Sequence, residues 1–319
     1  MSKNSLKNKN HRTQRILEVK TSQTGVLKQV FERISTVISD CCIVFIPPDK
    51  SFDQKLDDDY YEEIDSDQIE DKKKNKKSDQ KKESPVKNKK KSSGGGIRIL
   101  RLTEDKSVLI KLNLESDKFE SFICTEPKIK IGVDINHLHA MLKLVNDDDP
   151  IMFYMNKDNM NTLYISSLTK NNDNSEETDL ELYLMDISNP ELPIPQTEFQ
   201  NKITMASDKF HTICKHFNNN TTSVEIRSIN DQISFRGHNE GGKITKTYKD
   251  IHSSKNKNEQ TIVQGIYELK NLLSFSKCNK LCPTIDIYLK NDFPLVLVIS
   301  VATLGKMYVF LTPIENPTK

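Results

Sequence analysis

The 319 residues are enough for two domains of ordinary size, each burying its own core. The formal charge of +2 conceals unlike segments: of the 47 basic and 45 acidic residues, residues 1–15 hold five bases and no acid, residues 50–91 hold 13 lysines and 12 acids, and the body keeps 29 bases against 33 acids. A mildly acidic body excludes a protein coated in phosphate contacts, whose usual footprint is a strong basic excess, so any contact with nucleic acid has to be local.

In chain order, a basic tail over residues 1–15 comes first and is expected to be disordered. The first helical pattern follows, with Leu27, Val30, Phe31, Ile34, Val37 and Ile38 on one face and Lys28, Gln29, Arg33 and Ser35 opposite. From 48 to 96 an acidic block (Asp57 to Asp59, Glu62, Glu63) gives way to lysine runs (Lys72 to Lys74, Lys89 to Lys91) and a Ser-Ser-Gly-Gly-Gly end. So little apolar surface cannot offset the entropy of ordering, and the segment reads as a disordered insertion. Its lysines suit a nuclear import signal, a partner tail or a plain spacer.

Asp134, in N-cap position, opens a second helix through Ile135, Leu138, Leu142 and Val145. A third runs over 208–217 with Phe210, Ile213 and Phe217 inward, and a fourth over 267–277 with Leu269, Leu272 and Leu273 inward. Strands are expected at 107–114, 151–155, 163–166, 223–227, 284–288, 295–301 and 307–311. Ile131-Gly132-Val133 before the second helix parallels Gln264-Gly265-Ile266 before the fourth, and similar turns and strands follow each, so the chain reads as a duplicated unit offset by about 133 residues. Residues 185–196, with Pro190, Pro193 and Pro195, form the linker between the copies.

Six cysteines show no CxxC spacing and no signal peptide precedes them, which suits reduced thiols in an intracellular protein. Cys278 and Cys282 are close in sequence, yet nothing near them supplies two further metal ligands. The longest uncharged apolar stretch, Phe293 to Gly305, is short of the about 20 residues that a bilayer-spanning helix needs. No glycine-rich phosphate loop, nucleophile elbow or metal-ligand pair appears, and His137, His139, His211 and His216 fall on polar helix faces, so no catalysis, cofactor or metal is expected.

The stretch Asp179-Leu-Glu-Leu-Tyr-Leu-Met-Asp followed by Leu192-Pro-Ile-Pro-Gln-Thr-Glu-Phe199 resembles the interdomain connector of the proliferating cell nuclear antigen family. Gln23 to Val30, Ile131 to Leu138, Met205 to Lys215, Phe293-Pro-Leu-Val and Phe310-Leu-Thr-Pro313 resemble further segments of that family in the same order, over about 16–47 and 97–315. The resemblance implies an α+β DNA clamp fold: an N-terminal domain over 16–184, a connector over 185–198 and a C-terminal domain over 199–315. Each domain would carry two helices on the inner face and antiparallel sheets outside, and three chains would close a homotrimeric ring.

Such a ring encircles double-stranded DNA and serves as a DNA polymerase processivity factor. It would recruit polymerase, clamp loader and repair enzymes through short clamp-binding peptides, in the nucleus or, for a large DNA virus, in a cytoplasmic replication factory. Matching positions make Lys28, Arg33, Lys143, Lys209, Lys215, Lys270 and Lys277 DNA-facing, whereas Gln29, Ser35, Ala140 and Thr212 stand where the family usually has bases. The peptide pocket would use Leu102, Lys106, Leu109, Leu192, Ile194, Pro195, Phe199, Pro294, Phe310, Leu311 and Pro313. Glu177, Leu180 and Leu182 would pair with Ile233, Phe235 and Gly237 of the next subunit. A checkpoint-type subunit of a mixed ring and a monomeric DNA-binding processivity factor are the alternatives.

Overall fold

Apolar residues three and four apart give the first helix one greasy face, and in the computed structural model α1 (Thr24–Ser35) buries Leu27, Val30, Phe31 and Ile34. The structure describes residues 14–48, 94–170, 175–188, 199, 201–229, 232–249, 262–278 and 280–314. The basic tail up to residue 13, the insertion from 49 to 93 and connector residues 189–198, with Leu192, Ile194 and Pro195, lie outside the described residues.

The first half runs β1 (Arg15–Thr21), α1, β2 (Asp40–Ile46), β3 (Gly96–Leu102), β4 (Val108–Glu115), β5 (Ser121–Cys124), β6 (Ile129–Asp134), α2 (Ile135–Leu142), β7 (Ile151–Asn156), β8 (Asn159–Lys170) and β9 (Ser175–Tyr183). The second runs β10 (Asn201–Ala206), α3 (Ser207–Asn218), β11 (Ser223–Ile229), β12 (Gln232–Asn239), β13 (Gly242–Tyr248), β14 (Ile262–Glu268), α4 (Leu269–Ser276), β15 (Thr284–Leu289), β16 (Leu295–Val301) and β17 (Gly305–Leu311). Apart from the short β5 the order is the same, so the duplication read from the sequence is present in three dimensions. Asp134 caps α2 by accepting from the His137 backbone N–H at 2.9 Å. The fourth helix starts two residues later than the periodicity predicts, because Tyr267 and Glu268 belong to β14, paired with Val224 and Ser223. The apolar stretch from 293 supplies β16 and the turn into β17, a hairpin that alternates only weakly because most of both its faces is covered.

The strands form three antiparallel sheets, in the orders β5-β1-β7-β8-β9, β10-β15-β16-β17-β4-β3-β2-β6 and β13-β12-β11-β14. The middle one belongs to both halves. Its seam is the ladder between β17 and β4, seven residue pairs from Gly305 opposite Leu114 to Leu311 opposite Val108. Backbone bonds extend the seam at both ends, from the Glu115 N–H to the Leu304 carbonyl at 2.8 Å and from the Thr312 N–H to the Ser107 carbonyl at 3.0 Å. Ile110, Leu112 and Leu114 of β4 join Met307, Val309 and Leu311 of β17 in one core that runs through both halves. Helix α1 lies against α2, and α3 against α4.

Gly305 is required where the seam closes. A Cβ there would lie 2.0 Å from the Asn113 carbonyl oxygen and 2.9 Å from Leu114 Cα, both backbone atoms that cannot step aside. Gly305→Val should therefore lower stability by about 1–3 kcal/mol through forced displacement at the seam. Urea unfolding that matches wild type would contradict this placement.

Candidate functional site

Two surfaces carry the residues that the sequence singles out. The first is the helix layer. Lys143 after α2, Lys215 on α3 and Lys277 after α4 are exposed and make no ion pair among the described residues. Their field reaches the histidines between them. His139 is held below its usual pKa, first by burial and then by Lys143, and His211 likewise by burial, then Lys277 and Lys215. Arg33 of α1 lowers both as well, so the first helix pair lies within electrostatic reach of the second. A bond of 2.9 Å between His211 Nδ1 and Ser276 Oγ ties α3 to α4.

Not every basic residue expected in that layer is free. Lys28 is a correction: its side chain is 14 % exposed, its ammonium donates to the Val145 carbonyl, and it lies 2.7 Å from Asp147, so its charge is neutralised within the fold. Arg33 is buried against Glu32 at 2.5 Å and acts at a distance rather than by contact. Lys270 is exposed but paired with Glu268 at 2.9 Å. Lys209 lies 4.4 Å from the ring centroid of Tyr248, which draws it toward the β13 side of α3.

The second surface is the outer face of the shared sheet. Side chains alternate along a strand, so residues in register on neighbouring strands line up in rows across a sheet. One such row reads Tyr288, Val296, Phe310, Leu109 and Leu102, across β15, β16, β17, β4 and β3. Tyr288, Val296 and Phe310, with Tyr308, form an apolar cluster separate from the main core, and Leu109 and Phe199 pack against it. Phe199 meets Tyr288 edge-on at 5.4 Å and Phe293 at 5.5 Å. At one end of the row the β3–β4 turn is braced by Asp105, which accepts from Thr103 Oγ1, the Ser107 N–H and Ser107 Oγ. These bonds hold its pKa down at about 2. Lys106 sits exposed in this turn with φ at 57°, and its carbonyl accepts from Thr312 beside the half-buried Pro313. Pro294, also half-buried, leads into β16.

Leu311 is a second correction. As the neighbour of Phe310 in β17 it points to the opposite face, where it is 2 % exposed within the main core. The described ends of the connector bracket the row. Met185 bridges Gly132 at the β6 edge, a contact of 2.8 Å that only glycine permits because a Cβ would meet the Met185 oxygen at 2.2 Å. Ile187 then reaches Cys42 on the outer face of β2, and Phe199 stands over β15 on the far side.

The third correction concerns strand edges. Ile233, Phe235 and Gly237 lie in β12, which is hydrogen-bonded to β11 on one side and β13 on the other and so offers no ladder to a neighbour. Ile233 and Phe235 are core, and Gly237 makes room for Phe217 and Thr221. The edge strand beside β12 is β13. Its alternating Lys243, Thr245 and Thr247 are the signal that sequence reading passed over, since lysine and polar alternation mark an edge strand. Another edge strand is β9, on which Glu177, Leu180 and Leu182 lie.

Comparison with known proteins agrees with this architecture. Residues 82–190 match the family model of the proliferating cell nuclear antigen N-terminal domain, and residues 193–314 that of its C-terminal domain. A probable DNA polymerase sliding clamp of Acanthamoeba polyphaga mimivirus is 58% identical over 303 residues, covering 95% of this chain and 63% of that protein, so the chain spans less than two thirds of that relative's length. Probable DNA polymerase sliding clamp 1 of Paramecium bursaria Chlorella virus 1 is 28% identical over 237 residues, covering 69% of this chain and 84% of that protein. The crystal structure of proliferating cellular nuclear antigen from Entamoeba histolytica aligns over 94% of this chain and 100% of its own with a TM-score of 0.71 at 17% identity, a likeness of fold. With both halves matched by their own family models and the duplicated architecture in place, the chain belongs to the proliferating cell nuclear antigen family.

Proposed function

We propose that this chain is a sliding clamp: three copies close head to tail into a ring around double-stranded DNA and tether a polymerase, acting by topology and not by catalysis. The observation that carries the reading is the seam between β17 and β4. In the repeat β9 is the counterpart of β17 and β13 the counterpart of β4, yet within one chain β9 and β13 are left as open edges. An edge strand left unpaired invites association, and a heterologous contact of this kind either closes into a ring or runs on as a fibre. The domains are taken as 16–184 and 199–315 with a connector over 185–198. The number three follows the family resemblance.

In this reading Lys143, Lys215 and Lys277 face the DNA, and Lys209, Lys270 and Arg33 add to the field around them. Unpaired lysines on helix faces hold phosphates through water and screened electrostatics, which retains a duplex without fixing its position. The row from Leu102 to Tyr288, beside Phe199, Pro294 and Pro313, is the dock for the apolar anchors of partner peptides under the connector. An apolar face that already exists needs little ordering to bind. Polymerase and clamp loader are the partners expected there, in a viral replication factory such as the mimivirus and chlorella virus relatives suggest.

Two measurements test these assignments. Lys143→Ala, Lys215→Ala and Lys277→Ala together should shorten retention on nicked circular DNA several-fold at low salt, with a smaller effect at high salt; unchanged retention removes the helix layer from the DNA path. Leu109→Asp should weaken binding of a clamp-binding peptide by at least about tenfold, because it places a charge under the anchors. Unaltered affinity in fluorescence anisotropy contradicts the dock.

A further inference from the structure

We infer that the joint between copies repeats the register of the joint inside the chain and is keyed by charge, with β9 bringing the acids and β13 the bases; this rests on the ring reading above. The register follows from the repeat. Phe153 and Ile287 each lie eleven residues past the ends of α2 and α4. Phe153 pairs with Ile165 and Ile165 with Leu180, while Ile287 pairs with Leu297 and Leu297 with Val309. Leu180 thus holds the place of Val309. Ile43 and Ile226 each lie eight residues past the ends of α1 and α3. Ile43 pairs with Ile99 and Ile99 with Leu112, while Ile226 pairs with Phe235 and Phe235 with Lys246. Lys246 thus holds the place of Leu112, and Ile244 that of Ile110.

Inside the chain Val309 faces Ile110 and Phe310 faces Leu109. Carried over to two copies, Leu180 faces Ile244 and Glu181 faces Lys243, with Asp179 opposite Thr245 and Glu177 opposite Thr247, next to Lys249. The faces agree with this register. On β9 the half-buried Leu180 and buried Leu182 share one side, and the exposed Glu177, Asp179 and Glu181 the other. On β13 the half-buried Ile244, Lys246 and Tyr248 share one side, and the exposed Lys243, Thr245 and Thr247 the other. Leu180 therefore meets Ile244 and Glu181 meets Lys243, with Asp179 diagonal to Lys243, Glu177 diagonal to Lys249, and Lys246 facing Thr178.

The charges on the two edges have no counterparts of their own. β9 holds Glu176, Glu177, Asp179 and Glu181 and no base, and none of the four forms an ion pair among the described residues. β13 holds Lys243 and Lys246, with Lys249 just beyond, and no acid. Lys246 reaches the imidazole of His216, at 2.5 Å, and forms no ion pair among the described residues. The acidic field of β9 is felt nearby: the Tyr154 phenol is raised above its usual pKa by burial first, then by Asp179, with Glu181 adding. Pairing β9 with β9, or β13 with β13, would stack like charges across a strand pair, which is destabilising. Of the pairings between these two edges, β9 against β13 is the one that sets unlike charges together.

The test is a charge swap read by light scattering and sedimentation over a range of salt, on full-length Glu181→Lys, Lys243→Glu and the double variant. Each single variant should dissociate on the order of tenfold more readily at about 50 mM salt. The deficit should fade near 1 M, where the Debye length is about 3 Å, and the double variant should return to within a few-fold of wild type. A ring that stays intact in both single variants at low salt, or a double variant no better than the worse single, overturns the key while leaving the ring. A wild type that runs as one chain at every salt overturns the ring and the key together.

Discussion

The ladder between β17 and β4 is the contact on which the architecture depends. Without it the two halves would each expose a long sheet edge and part of the apolar surface that now forms one core. With it, Leu112, Leu114, Met307 and Leu311 are sealed in the seam, and Arg33 of the first half stands within electrostatic reach of His211 of the second. The same pairing leaves a counterpart edge, β9 or β13, open in each half, because duplication supplies two copies of each strand and one seam uses only one of each. A subunit built this way is unfinished by construction, and the natural completion is another copy of itself.

The two faces of the molecule divide the labour. On the helix layer, charge stays loose: Lys143, Lys215 and Lys277 have no acidic partner among the described residues, whereas Lys28 and Lys270 have theirs. On the outer face of the shared sheet, chemistry changes row by row, from the apolar line of Leu102, Leu109, Phe310, Val296 and Tyr288 to the neighbouring row in which Lys111 lies 5.6 Å from the Tyr308 ring and Val298 sits beside Asp286. Mobile charge suits a partner that slides, and a fixed apolar line suits a partner that docks. The seam therefore serves both faces, since its two sides are the core under the helices and the row under Phe199.

Much of this was legible in the residues. The periods of 3.6 placed all four helices, and Asp134 marked the start of α2 because an N-cap is a local matter between neighbours in sequence. The duplication was visible because Gly132 and Gly265 precede helices in both copies. What failed needed tertiary information. Leu311 and Phe310 are both apolar, and only the pleat decides which looks into the core. Lys28 reads as a solvated lysine until the loop after α2 brings Asp147 to it. β12 and β13 both alternate, and the difference between an inner and an outer strand is a neighbour, which no window of sequence contains; the lysines of β13 were the one local clue. The strand β1 and the short β5 carry too few residues of either period to stand out.

The decisive measurement is amide hydrogen exchange along β9 and β13, compared with β17 and β4 in the same protein at micromolar concentration. Leu180 to Leu182 and Lys243 to Thr247 should be protected to a degree similar to Val309 and Ile110, because both joints are the same ladder. Fast exchange along β9 and β13, with the internal seam protected, would contradict it.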